Sequence, residues 1–173
     1  MQGSAVLARP VGAIEPQREP ASRKIVPIRK RFLEKKTVLV VDSSEAGFFM
    51  LRRAFAEAKA PHMLRRAADG AEALAYVKGQ ERFGDRQRFP FPDLIIAERA
   101  VPKVAGLEIL DHVRRELGLA IPFILFAASI ELKEMRQVTE LGWAEYHIRP
   151  ASLSVLAELV LSIEQTWLEK AAE

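Results

Sequence analysis

Short apolar runs alternate along most of this chain with segments whose apolar residues recur at helical spacing, and that alternation admits few folds. Thr37–Val41 is a β-branched apolar run. Asp42, Ser43 and Ser44 then offer caps for a helix over Glu45–Lys59, with Phe48, Leu51, Phe55 and Ala58 inward. His62–Arg66 is a weaker strand suited to a sheet edge, and Asp69-Gly70 turns into a helix burying Ala73, Leu74 and Val77. A polar loop over Gly79–Pro92 leads to a strand at Asp93–Ala97 and a helix at Gly106–Leu117, with Leu110, Val113 and Leu117 inward. Ile121–Phe126 is the next buried strand. Leu132, Met135, Val138 and Leu141 form a helical stripe ending at Gly142, expected as a left-handed cap. Trp143–Ile148 is the last strand, and Ser152–Glu169 the last helix, with Leu156, Leu159, Val160, Ile163 and Trp167 at core spacing.

Five strands alternating with five helices imply an α/β three-layer sandwich, a parallel sheet covered on both faces. Right-handed crossovers and a weak second strand at one edge favour the flavodoxin-like order 2-1-3-4-5. Its ligand crevice lies beyond the carboxyl ends of strands 1 and 3. That geometry gathers Asp42, Ser43 and Glu98, with Ala127 and Arg149 from the ends of strands 4 and 5.

Composition narrows the chemistry. The chain has no cysteine, which excludes disulfides, thiolate metal sites and a cysteine nucleophile. No apolar run approaches the ~20 residues of a membrane helix. The N-terminus lacks a signal-peptide pattern, so a soluble, cytoplasmic protein without membrane partners is expected. Residues 1–36 carry nine Lys/Arg against three acids, a net +6, which leaves −3 on the remainder. With Pro10, Pro16, Pro20 and Pro27 in the same stretch, residues 1–35 are expected to be a disordered or extended basic leader to a folded domain over 36–173. The leader lacks interleaved aromatics except Phe32, so a nucleic-acid partner is the lesser alternative.

One segment carries the functional signal: Pro92-Asp-Leu-Ile-Ile-Ala-Glu98-Arg-Ala-Val-Pro102-Lys-Val-Ala-Gly106-Leu-Glu-Ile-Leu110. A buried strand ends in a carboxylate, and a loop leads into a helix. Together with Val38-Leu-Val-Val-Asp42, Ala68-Asp-Gly-Ala-Glu-Ala-Leu74 and Tyr146-His-Ile-Arg-Pro150, it resembles the receiver domain of bacterial response regulators. The long loop after Gly79 is similar to that of the single-domain receivers associated with bacterial phytochromes.

The resemblance implies a two-component signalling protein and gives each crevice residue a role. In the family an aspartate accepts a phosphoryl group, an acidic pair helps to hold Mg²⁺, a lysine contacts the phosphoryl oxygens and a hydroxyl reports the product. Here the phosphoacceptor position is Glu98, the acidic-pair positions are Asp42 and Ser43, the switch positions are Ala127 and Tyr146, and the lysine position is Arg149. Glu98 reaches about 1.5 Å further than an aspartate. Ser43 is neutral, Ala127 has no hydroxyl, and Arg149 is a planar fork. No catalytic residue and no cofactor is therefore expected, with Mg²⁺ binding weak or absent and Asp42 its weak candidate ligand. The expectation is an atypical, non-enzymatic single-domain regulator acting by protein contact without ordinary aspartyl phosphorylation. A receiver that still accepts phosphoryl from a histidine kinase is the alternative.

Arg149 is expected to pair with Glu98 or Asp42 across the crevice, and Tyr146 either to turn inward beside Ala127 or to stand at an interface. His62 and His112 have no partner spacing for a metal and suggest no site, and His147 is expected to be a structural histidine. The resemblance implies a protein partner (histidine kinase, receiver or effector) on the face of helix 4, strand 5 and helix 5, around Lys133, Arg136, Gln137, Glu140 and Tyr146. A homodimer through that face is one such arrangement. The last helix either caps the domain or supplies a dimer contact.

Overall fold

A computed structural model describes residues 35–169 of the chain. The leader expected over residues 1–35 lies, apart from Lys35, outside the described residues. Five parallel strands, β1 (Thr37–Val41), β2 (Met63–Ala67), β3 (Leu94–Glu98), β4 (Phe123–Ala127) and β5 (Ala144–Ile148), form one sheet in the order 2-1-3-4-5. The helices are α1 (Glu45–Glu57), α2 (Gly70–Lys78), α3 (Gly106–Asp111), α4 (Leu132–Leu141) and α5 (Leu153–Ile163). This is the flavodoxin-like α/β sandwich that the alternation implies.

Burial follows strand position. Every residue of β1 and β4 is buried, and β3 is buried up to Glu98, because helices cover both faces of the central strands. Leu51, Phe55, Leu156 and Val160 of α1 and α5 pack one face around Val38, Ile96 and Phe126. Leu74, Val77, Ile109, Leu110 and Val138 pack the other around Leu39, Ile95 and Leu125. The register pairs Val41 with Ala67 and with Ala97, and Glu98 with Phe126, so the carboxyl ends of the strands finish together.

The helix starts match their capping residues. Ser44 Oγ accepts from Gly47 N at 3.1 Å at the head of α1. Asp69 accepts from Glu72 N at 2.8 Å at the head of α2, while the Glu72 carboxylate accepts from Ala68 N, just before the cap, at 2.7 Å.

Four local expectations need correction. Gly142 has φ 73° and ψ 167°, which is not the left-handed cap; Gly79, at φ 66° and ψ 36°, provides that cap for α2. Leu132, expected on an inward stripe, is 67% exposed because only Val138 of α4 is fully buried. The helices beginning at Gly106 and at Leu153 do not run on as regular α-helix. They widen into π turns at His112–Glu116 and Glu164–Leu168, closed by bonds from Leu117 N to His112 O and from Glu169 N to Glu164 O. The loop over Gly79–Pro92 has a core of its own. Phe83 is buried against Tyr76 and Phe89, and Arg86 donates to the carbonyls of Tyr76, Val77 and Phe89. A guanidinium with several donors can tie a helix end to a loop, which a reading of the loop as merely polar does not foresee.

Candidate functional site

The site lies where the strand order reverses, between the carboxyl ends of β1 and β3. Asp42 follows β1 and is buried; its Oδ1 accepts from Ser44 N at 2.8 Å, which fixes the carboxylate as the chain enters α1. Glu98 is the last residue of β3, half-buried at the mouth of the crevice. Arg149 follows β5, and its amide donates to the Ala127 carbonyl at 3.0 Å, which anchors it against the end of β4.

The Arg149 guanidinium organises the crevice. Nη1 donates to Asp42 Oδ2 at 2.8 Å and also to Glu98 Oε1, while Nη2 donates to the Gly47 carbonyl at 2.7 Å. One planar cation thus joins the ends of β1 and β3 to the first turn of α1, with the Phe126 ring 5.8 Å from its central carbon.

Burial raises the Glu98 pKa, and the nearby Asp42 charge adds to that effect; Arg149, by charge and hydrogen bond, offsets part of it. Burial alone would lower Arg149, but its hydrogen bond to Asp42 and the charge of Glu98 outweigh burial and raise it. The guanidinium therefore stays charged.

The other positions contribute less chemistry. Ser43 is exposed, and its carbonyl accepts from Arg66 Nη2 at 2.9 Å. Ala127 is 2% exposed and brings only a methyl group to the crevice wall. Tyr146 is half-buried, with its ring against the cluster under α2, α3 and α4, and its hydroxyl donates to the Ser129 carbonyl at 2.8 Å.

The two carboxylates that could face a Mg²⁺ ion, Asp42 and Glu98, are both engaged by Arg149. Among the described residues no group of three or more His, Cys, Asp or Glu side chains could hold a metal ion. The space between the Asp42 and Glu98 carboxylates is filled by Arg149 Nη1. A divalent ion there would have to displace a cation that already satisfies both acids.

Two features escape the sequence pattern. A Cβ at Gly47 would sit 2.4 Å from Asp42 Oδ2 and 3.2 Å from Arg149 Nη2, so the guanidinium reaches the α1 backbone only because residue 47 is glycine. Its position in the first helical turn, facing a strand-end acid, was the available signal. His62 is tied through Nε2 to Glu164 at 3.2 Å and accepts from Lys36 N through Nδ1, joining the last helix to the start of the sheet. That contact spans 102 positions and has no local signature.

No family model matches the chain. Response regulator Rcp1 of Synechocystis sp. is 27% identical over 135 residues, covering 78% of this chain and 90% of Rcp1. A response regulator in red light signalling of R. palustris superposes with a TM-score of 0.72 at 26% identity, covering 79% of this chain and 96% of that one. The phosphorylated cyanobacterial phytochrome response regulator RcpA gives 0.70 at 28% identity, covering 80% and 98%. The fold is that of CheY-like receivers, and the chain's homologues and structural neighbours are response-regulator receiver domains, phytochrome-associated single-domain regulators among them.

Proposed function

We propose that this chain is a single-domain response regulator that signals by protein contact, with a fixed ion-pair network in place of the phosphorylation chemistry. The observation that carries this reading is Arg149 Nη1 bound to both Asp42 and Glu98. A phosphoacceptor has to present a free carboxylate in line with its donor, next to a metal. Glu98 is turned onto a cation, Ser43 adds no charge, and Ala127 has no hydroxyl to report a product. The phosphorylated state described for RcpA is that protein's own; here the network supports a state independent of phosphate.

The test incubates the full chain with Mg²⁺ and acetyl phosphate and measures intact mass. No phosphoryl adduct is expected, whereas the variant carrying Glu98→Asp, Ser43→Asp, Ala127→Thr and Arg149→Lys should gain one. A stoichiometric, acid-labile adduct on Glu98 of the wild type would sink the proposal.

The contact surface in this reading is the face of α4, β5 and α5, which leaves Leu132, Ile148 and Val155 exposed beside Lys133 and Arg136. Its occupant is a histidine kinase, receiver or effector, or a second copy of the chain, in the cytoplasm. The π turn after α5 supports the capping role of the last helix, since it buries Leu168 and Glu164 in its own domain. Light scattering across a dilution series distinguishes the homodimer: a mass that stays monomeric at high concentration removes it.

A further inference from the structure

We propose that the open edge of β2 is a docking site for an extended acidic peptide, which joins the sheet as a sixth strand. Among the described residues β2 pairs only with β1. Met63 N donates to Lys36 O at 2.8 Å and Ala67 O accepts from Asp42 N at 3.0 Å, so the odd positions of the strand face β1. The two-residue repeat of a parallel ladder then turns the amides and carbonyls of Leu64 and Arg66 to the open side, and no described residue bonds them there.

A depression of about 560 Å³ straddles this edge. Phe48 of α1 lines it from one face of the sheet, and Tyr76, Phe83 and Phe89 from the other. A hollow walled from both faces suits a strand, whose side chains alternate up and down; a flat ligand would need one face only.

Charge selects the occupant. Arg65, Arg66, Arg82 and Arg88 line the hollow. Arg82 pairs with Glu72, and Arg66 lies 3.6 Å from Glu45 while donating to the Asp42 and Ser43 carbonyls. The guanidinium groups of Arg65 and Arg88 have no carboxylate partner among the described residues, although the Arg88 amide donates to Asp85 Oδ1 at 3.3 Å. Arg65 Nη2 donates to the Arg88 carbonyl at 2.9 Å, but its buried Nε has no hydrogen-bond partner. A carboxylate on an added strand would face these guanidinium charges where they line the hollow. Both cations are held in place over the Phe89 ring, at 5.9 Å for Arg65 and 5.4 Å for Arg88. A second copy pairing through its own β2 would set arginine against arginine, which guards the edge against self-association and leaves an acidic partner as the fit.

The experiment uses the full chain and a fluorescein-labelled peptide of about eight residues alternating Glu and Val, followed by anisotropy at low salt. Saturable binding is expected, weakened at least about tenfold by Arg88→Glu and further by adding Arg65→Glu. Arg88 is exposed, so its reversal leaves the fold intact, as circular dichroism would check. The same peptide N-methylated at every residue should not bind, because methylation then removes the strand hydrogen bonds of both edges. The double reversal Arg23→Glu and Lys24→Glu in the basic N-terminal stretch should leave binding unchanged. Absence of saturable binding, equal binding of the methylated peptide, or loss on reversing Arg23 and Lys24 but not Arg88 would each overturn the proposal.

Discussion

Truncating Arg149 to alanine is the sharpest test of the crevice. The substitution removes the shared partner of two acids whose side chains are only 4% (Asp42) and 23% (Glu98) exposed. It also strips the Gly47 carbonyl of its guanidinium donor. Removing one member of a buried pair typically costs about 3–5 kcal/mol, because the other charge is stranded. Arg149 keeps 20% of its side chain in solvent, so water can reach the stranded acids, and the low end, about 3 kcal/mol, applies. For a domain of this size that corresponds to roughly 10 °C in Tm. Urea unfolding at neutral pH, followed by circular dichroism, measures it. Adding Asp42→Asn and Glu98→Gln to Arg149→Ala removes the stranded charges and should recover more than half of the loss. If Arg149→Ala stays within about 0.5 kcal/mol of wild type, as an ordinary surface substitution would, the network does not hold the site together. A triple variant as unstable as the single one would refute the charge argument specifically.

Gly47→Ala places a methyl carbon 2.4 Å from Asp42 Oδ2, and overpacking of this kind should cost about 1–3 kcal/mol in urea. Gly84→Ala, whose new Cβ meets nothing closer than 3.5 Å, should be nearly neutral; equal effects would show that Gly47 is not a site residue. The pH dependence has a defined sign. Burial raises Glu98 above its ordinary 4.5, so between that value and the elevated folded value the native state binds more protons than the unfolded chain. The Glu98 contribution to stability is therefore full below pH 4.5 and is lost as pH rises through the folded value. Glu98→Gln should flatten that part of the urea stability curve, and parallel curves for wild type and variant would contradict the assignment.

Much of the fold was legible because its strands and helices announce themselves locally. Val38–Val41 and Ile124–Phe126 are apolar on both faces, and only a strand covered from both sides needs that pattern. The weakness of Met63–Ala67 as an apolar run marked an edge strand, since an edge has less to bury. Details that depend on what lies opposite were not legible. Leu132 has a core-like residue type at a helical interval, yet nothing packs over it. The π turns at His112–Glu116 and Glu164–Leu168 contain no glycine or proline to mark them. The buried aromatic loop core around Phe83 needs Arg86 to satisfy three carbonyls at once, a condition that exists only after folding.

At the site, residue identity alone supplies the available groups: two carboxylates, a methyl group, a hydroxyl and a guanidinium at five strand-end positions. Residue identity is local, and strand ends in a parallel sheet converge by topology. How those groups pair depends on the folded chain. The sequence allowed Arg149 to meet Glu98 or Asp42; the fold gives it both, and the Gly47 carbonyl as well. That outcome depends on distances of a few tenths of an ångström between chain segments up to 107 positions apart, and on a missing Cβ at residue 47. Hydrogen bonds and ion pairs are short-ranged and directional, so their partners are chosen only once the sheet has set its strand ends side by side.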